Sequence, residues 1–256
     1  MEHEDIIFVE ERREKIKEYI NSRKKATVIE LSEYFNVSIA TIRNDLKELE
    51  LLGLLTRTHG GAIKKSKASQ ELMLEFRNDN IVAKKSMAKK ALSLIDDGDT
   101  LILDSGTTIH ELAKLLNTKN DLTIITNDIT CASIVEPFGF NIVILGGILT
   151  NGFHWTTGEY TSKILKELSA DKVFLSAGGF SIEKGISVGT LPLAYIKELM
   201  IKCSAQSILL CDNSKFEKYR LVKFADFNDI DIFITDVLNE NIKNIIEESG
   251  GEFIVV

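Results

Sequence analysis

The chain has 256 residues, 44% hydrophobic and 27% charged with only two prolines, which gives it the material for a sizeable core and excludes bulk disorder. No apolar run approaches the roughly 20 residues needed to span a bilayer, and the opening "MEHEDIIFVEERREK" is acidic without an apolar signal core, so the reading is cytoplasmic. A net charge of −7 argues against coating nucleic acid by bulk electrostatics.

Cysteine and histidine usage narrows the chemistry further. Cys131, Cys203 and Cys211 form no CxxC pair, and none of the four histidines sits in an HExxH pattern. Buried thiols in a reducing compartment are expected, and a transition-metal site is not. Charge is close to balanced up to Lys67, and the acidic excess lies beyond it. Basic clusters stand out in that first part: Arg23-Lys24-Lys25, Arg57-Thr58-His59 and Lys64-Lys65-Ser66-Lys67.

The first elements read as three helices and a hairpin. "EERREKIKEYINSR" places Ile16, Tyr19 and Ile20 at helical spacing on a charged surface. In "TVIELSEYFNV", Thr27 and Glu30 have the spacing of a capping box, with Ile29, Leu31 and Phe35 facing inward and Asn36 closing the helix. "VSIATIRNDLKELELLG" follows, capped by Ser38, with an apolar stripe at Ile42, Leu46 and Leu49 and a stop at Gly53. "LLTRTHGGAIKK" reads as two short strands turning at His59-Gly60-Gly61.

Two helices joined by a short turn, then a hairpin, suggest a winged helix-turn-helix. Periodicity alone is equally compatible with a three-helix packing module. The face opposite the stripe favours DNA: Thr41, Arg43, Asn44 and Lys47 offer base-edge and phosphate contacts, flanked by the basic clusters.

From Ala68 the chain changes character. A polar connector leads into "IVAKKSMAKKALSLI", an amphipathic helix whose four lysines read as a solvated face. Strand and helix then alternate, with strands at "TLILD", "LTIIT", "NIVIL", "KVFLSA", "SILLCD", "DIFITD" and "FIVV". Helical stretches fall near 108–116, 129–135, 159–168, 193–203 and 239–248. Continuous apolar strands between helices imply a mostly parallel sheet covered on both faces. The expected organisation is a winged helix-turn-helix over 1–66, a connector with the first sensor helix over 67–98, and an effector-binding α/β domain over 99–256.

Ligands of open parallel sheets bind outside the carboxyl ends of the strands. The segments there are Asp104-Ser105-Gly106-Thr107-Thr108, Thr126-Asn127, Gly146-Gly147, Ala177-Gly178-Gly179 and Asp212-Asn213-Ser214-Lys215. Glycines admit a ligand close to the backbone, and helix-start amides, hydroxyls and Lys215 suit an anion. Asp104, Asn127 and Asp212 can orient sugar hydroxyls. Taken singly, each loop is equally a turn or a cap; five on one edge favour a phosphorylated polyol. Neither GxxxxGK[ST] nor GxGxxG occurs. Trp155, beside His154, reads as packing, and Ser105 with His110 is no hydrolytic triad.

These segments together resemble the DeoR family of bacterial transcription regulators along nearly the whole chain. The resemblance rests on "VSIATIRNDLKELELLGLLTRTHGGA", "DGDTLILDSGTT", "LTIITND", "ILGG" and "DNSKF". It implies an N-terminal winged helix-turn-helix and a C-terminal sensor domain similar to ribose-5-phosphate isomerases. The implied activity is repression of a sugar-catabolism operon, relieved by a phosphorylated sugar. Ser38 to Lys47 then fall on the recognition helix, and Arg57 with His59 on the wing. The "DSGTT" loop, Thr126, Asn127, Gly146, Gly147, Gly178, Asp212, Ser214 and Lys215 fall on the effector pocket. Asn44 stands where the family's TIRRDL has its second arginine, and Leu193 replaces a customary glutamate. The implied partners are double-stranded operator DNA and a sugar phosphate, in a homodimer or homotetramer, with no cofactor and no membrane. The competing reading is an aldose–ketose isomerase using Asp104, Asp212 and Lys215.

Overall fold

In the computed structural model, which describes residues 9–52, 54–58, 60–64, 80–150 and 152–256, the chain divides between 76 and 77 into two units. Several sequence expectations lie outside the described residues: the Gly53 stop, His59 on the wing, Lys65-Ser66-Lys67 of the last basic cluster, and the part of the expected 67–98 connector that precedes residue 80.

The first unit runs α1 (Val9–Arg23), β1 (Lys25–Thr27), α2 (Val28–Tyr34), α3 (Ile39–Leu51), β2 (Leu55–Thr58) and β3 (Gly61–Lys64). Its helix starts follow from local chemistry. The Thr27 hydroxyl accepts from the Glu30 amide at 3.2 Å, and the Glu30 carboxylate accepts from the Thr27 amide at 2.7 Å. Ser38 accepts from the Thr41 amide at 3.1 Å and caps α3. Asn36 adopts a left-handed φ of 50° just past α2, as Asn tolerates.

Ile16, Ile20, Leu31, Phe35, Ile42, Leu46 and Leu49 form the core, each worth about 1.5–3 kcal/mol when fully buried. Ile29 was expected there and is instead 57% exposed. Leu31 and Phe35, four residues apart, take the inward face of α2, and two residues of helical rotation carry Ile29 to the far side. Sequence reading also missed β1, which pairs antiparallel with β3 and completes a three-stranded sheet in the order β1-β3-β2. Three residues with mixed polarity carry no alternation signal. Gly61 makes this pairing possible, since a Cβ there would stand 2.1 Å from the Ala26 carbonyl oxygen.

The second unit begins with α4 (Ile81–Leu92) and alternates as β4 (Thr100–Leu103), α5 (Thr107–Ala113), β5 (Thr123–Thr126), α6 (Ile129–Val135) and β6 (Asn141–Ile144). A two-stranded ribbon follows, β7 (Ile148–Leu149) with β8 (Thr156–Thr157), then α7 (Glu159–Leu165) and β9 (Ala170–Leu175). The remainder is β10 (Gly179–Ser181), β11 (Gly185–Val188), α8 (Leu191–Lys202), β12 (Ser204–Leu210), β13 (Val222–Ala225), β14 (Ile232–Thr235), α9 (Glu240–Glu248) and β15 (Glu252–Val255).

All seven expected strands join one sheet in the order β15-β14-β12-β9-β4-β5-β6, and every pairing is parallel. Alternate residues feed opposite layers: Ile102, Ile125, Val173 and Leu209 join one core, and Leu101, Leu103, Ile124, Phe174 and Ile208 the other. Both faces are therefore covered, which explains the unbroken apolar runs. One expectation about α4 fails. Of its lysines, Lys84 is buried rather than solvated, because it lies on the face that carries Met87, Ala88 and Ala91 inward. The antiparallel β10-β11-β13 sheet and the β7–β8 ribbon were not expected; their strands run only two to four residues.

Candidate DNA-reading face and effector site

The outward face of α3 is chemically simple. Arg43, Asn44 and Lys47 are exposed, and Thr41 is half-buried with its hydroxyl 2.8 Å from that of Ser38. Between them Asp45 turns inward, only 2% exposed, and accepts from Arg12 Nε at 2.7 Å and Arg13 Nε at 3.0 Å. Two arginines of α1 thus fix the rotation of α3, so that the apolar stripe faces the core and Arg43, Asn44 and Lys47 face solvent. Asp45 and its partners were missed. The signal was an acidic residue next to Leu46 in the apolar stripe. Arg57 on β2 is exposed, 3.8 Å from Glu50 at the far end of α3, a surface pair of small energetic weight.

At the carboxyl edge of the large sheet, the strand order β12-β9-β4-β5-β6 sets the five expected segments side by side. Adjacent strands are about 4.8 Å apart, so neighbouring loops touch. Asp104, expected on the ligand, is fully buried. Its Oδ2 accepts from the Ser176 amide at 2.9 Å, from the Ser176 hydroxyl at 3.0 Å, and from Lys197 Nζ. Lys197 in turn donates to the Ser176 carbonyl at 3.0 Å and lies 5.5 Å from the centre of the Phe224 ring. Burial pushes the Lys197 ammonium below its ordinary pKa, with Asp104 opposing the shift. Asp104 therefore joins β4, β9 and α8 from within.

Two further polar residues are likewise spent on the frame. The Thr126 hydroxyl donates to the Leu103 carbonyl at 2.7 Å and accepts from the Asp128 amide at 3.1 Å. Asp212 Oδ1 accepts from the Ser214 amide at 3.0 Å and from Asn80 Nδ2 at 2.9 Å. Asp104 Oδ2 and Asp212 Oδ1 are thus engaged by the protein itself.

What remains is a set of small groups around the start of α5. Ser105 and Thr108 are buried, Gly106 and Thr107 half-buried. Gly106 caps α5 at φ 129° with no side-chain hydrogen bond, and a Cβ there would meet Ser176 Oγ at 2.8 Å. Asn127 is 1% exposed and donates from Nδ2 to the Thr156 carbonyl at 2.8 Å, while its Oδ1 has no partner. Gly146 and Gly147 are exposed beyond β6, and Thr161 donates to the Gly146 carbonyl at 2.6 Å. Gly178 is half-buried, with its carbonyl accepting from Arg220 Nε at 2.9 Å. Ser214 is exposed and Lys215 half-buried.

Lys197 and Ser176 are the residues that sequence reasoning missed here. A cue existed: in "LPLAYIKELMIK", Lys197 falls on the same face as Leu193, Ala194 and Met200, a charge inside an apolar stripe. His110 is likewise buried, 2.9 Å from Asp128 Oδ2, and Asp128 Oδ1 caps α6 through the Thr130 and Cys131 amides. Trp155 packs on Phe153, ring centres 3.9 Å apart. Cavities of about 520 and 440 Å³ lie away from this edge. The larger is lined by Leu165, Ala170 and Cys203 at the amino ends of β9 and β12, the smaller by Ile81, Lys85 and Lys114 between α4 and α5. Among the described residues no cluster of His, Cys, Asp and Glu suits a metal ion, and no helix is long and apolar enough to cross a membrane.

Comparison with known proteins accounts for both units. A family model described as a DeoR-like helix-turn-helix domain matches residues 12–68, and one described as a DeoR C-terminal sensor domain matches 79–237. The chain is 34% identical over 232 residues to an uncharacterized HTH-type transcriptional regulator, YulB, of Bacillus subtilis, covering 90% of each. It is 33% identical to a lactose phosphotransferase system repressor of Staphylococcus epidermidis, covering 88% of this chain and 91% of that one. It is also 33% identical to a putative aga operon transcriptional repressor of Escherichia coli O157:H7, covering 88% and 86%. Among solved structures, a D-ribose-5-phosphate isomerase in complex with phospho-erythronic acid aligns over 52% of each chain at 17% identity and a TM-score of 0.39. With a match to the DeoR-like helix-turn-helix domain followed by one to the DeoR sensor domain, and relatives about one-third identical over most of its length, the chain belongs to the DeoR family of DNA-binding transcription regulators and is not an enzyme.

Proposed function

We propose that this protein represses a sugar-catabolism operon and is released from its operator when a phosphorylated sugar occupies the carboxyl edge of the large sheet. One observation carries the reading. Among the described residues, Asn127 Oδ1 is the buried side-chain polar atom left without a partner, and Asn127 directly follows β5, the strand between β4 and β6. Buried acceptors are almost always matched, so this one calls for a donor, and a sugar hydroxyl supplies it. The phosphate is held by the amides at the start of α5, the hydroxyls of Ser105, Thr107 and Thr108, and Ser214 with Lys215. Gly146, Gly147 and Gly178 let the ligand approach the backbone. Asp104, Thr126 and Asp212 act as positioning residues for these loops. The relatives named for the lactose phosphotransferase system and the aga operon support a sugar-related effector.

On the other unit, Ser38, Thr41, Arg43, Asn44 and Lys47 meet the major groove of double-stranded operator DNA, and Arg57 with His59 the flanking backbone. One such head reads a single half-site, so the working form is a homodimer or homotetramer in the cytoplasm. Release requires that the sugar phosphate favour one arrangement of subunits by about 1–3 kcal/mol.

The test is fluorescence anisotropy on a duplex selected from a random library, at several salt concentrations and with a panel of sugar phosphates. Binding should weaken with a log–log salt slope of about 0.9 per phosphate contacted. One sugar phosphate should release the DNA, and Lys215→Ala should keep DNA affinity while needing far more of it. No sequence preference, or normal release of Lys215→Ala, overturns the corresponding half of the reading.

A further inference from the structure

Beyond the pocket, the second unit leaves a run of large apolar side chains in solvent. On the β7–β8 ribbon, Ile148 is 75% and Leu149 51% exposed. Ile148 lies against Gly158, 3.8 Å from the position of a Cβ there, at the head of α7. On α7, Tyr160 and Ile164 stand four residues apart on the face away from buried Thr161, Ser162 and Leu165. α7 packs against α8, where Leu191 and Tyr195 repeat the same four-residue spacing, and Lys166 Nζ reaches to 5.7 Å from the Tyr195 ring.

Side chains of this size, exposed to these fractions, show on the order of 100 Å² each. Six of them reach the upper end of what a monomer usually leaves in one patch, and approach the roughly 800 Å² per partner of a stable interface. The charges around the patch are of both signs: Glu159 at the start of α7, and Lys163, Lys166 and Glu167 at its end, all exposed. A surface of one sign would repel its own copy, whereas this one complements itself when turned by 180°.

We propose that this face is the two-fold contact between copies of this chain, with α7 packed antiparallel on α7 of the second copy. Tyr160 of one copy lies beside Ile164 of the other, and Glu159 faces the partner helix's end, where Lys166 sits. The contact requires no effector, so it stands or falls separately from the pocket.

The test is sedimentation of the full-length chain at micromolar concentration. Wild type should sediment at twice the chain mass or a multiple of that. Tyr160→Glu and Ile148→Glu should each raise the dissociation constant at least 10-fold with an unchanged circular-dichroism spectrum, and Val82→Glu, equally exposed on α4, should leave it unchanged. Glu159→Lys and Lys166→Glu should each weaken association, and the double variant should restore it. Those two positions are seven residues apart on one helix, so rescue reads a contact between molecules and guards against a variant that merely misfolds. A monomeric wild type, indifference to both apolar substitutions, dissociation by Val82→Glu, or failure of the double variant to recover overturns the proposal.

Discussion

Arg12 Nε lies 2.7 Å from Asp45 Oδ2, joining the first helix of the reading head to its third through a pair almost closed to solvent. Arg13 shares the same carboxylate at 3.0 Å but is more exposed. Asp45→Ala strands both guanidinium groups against a buried surface, at a cost of about 2–4 kcal/mol. We expect urea unfolding of the first unit to shift by that amount, with operator affinity falling as α3 loses its fixed rotation. A variant that unfolds like wild type would show that the pair contributes little.

The α3 stripe and the caps at Thr27 and Ser38 were legible because they are local: each needs only residues three or four apart. The seven strands were legible for the same reason, as runs of apolar residues between turns. The partner of Asp104 was not legible, for the opposite reason. Nothing near it in sequence shows that Lys197, 93 residues on, delivers a charge to its carboxylate. Such pairs are set by strand order, and β9 beside β4 appears only once the sheet is assembled.

Thr27→Ala removes a capping box and should cost the first unit about 1 kcal/mol. Thr27 is exposed, so no cavity adds to this figure. Differential scanning calorimetry should place the loss in the reading head alone. An equal fall in the transition of the second unit would mean that the two do not unfold separately.

Burial lowers the Lys197 pKa below the ordinary 10.5. Between the folded value and 10.5 the unfolded chain binds the proton that the folded chain has lost, so stability rises with pH across that window. Wild type should therefore gain on Lys197→Met as pH climbs from the folded value toward 10.5. Paired urea titrations at several alkaline pH values measure the difference. A gap that moves the other way would mean that attraction to Asp104 outweighs burial.

The three thiols should separate by reactivity. Cys131 and Cys211 are buried, and desolvation pushes both well above the usual thiol range; Cys203 is half-buried and shifted upward for the same reason. The thiolate is the reactive form, so a disulfide reagent at pH 8 should label Cys203 first. Cys203→Ser should remove the fastest phase, leaving two slow ones that merge only in denaturant. A fast phase that survives this substitution would place an opening motion at Cys131 or Cys211.

Asn127 gives the sharpest reading of the effector site, because its two polar atoms have different fates. Nδ2 is bonded to the Thr156 carbonyl, and losing that bond costs about 1 kcal/mol, whereas the unmatched Oδ1 is itself a penalty of about 1–3 kcal/mol. Asn127→Ala removes both, so the two effects largely offset and the thermal midpoint should move by only a few degrees. The effector, in contrast, loses its acceptor. We expect the sugar phosphate concentration needed for half-release of operator DNA to rise by about 10-fold or more, the value of a 1.4 kcal/mol contact. Operator affinity without effector should stay as in wild type. If Asn127→Ala instead stabilises the chain and responds to effector normally, then Oδ1 is a strain carried by the β5 turn and the hydroxyl contact must be made elsewhere.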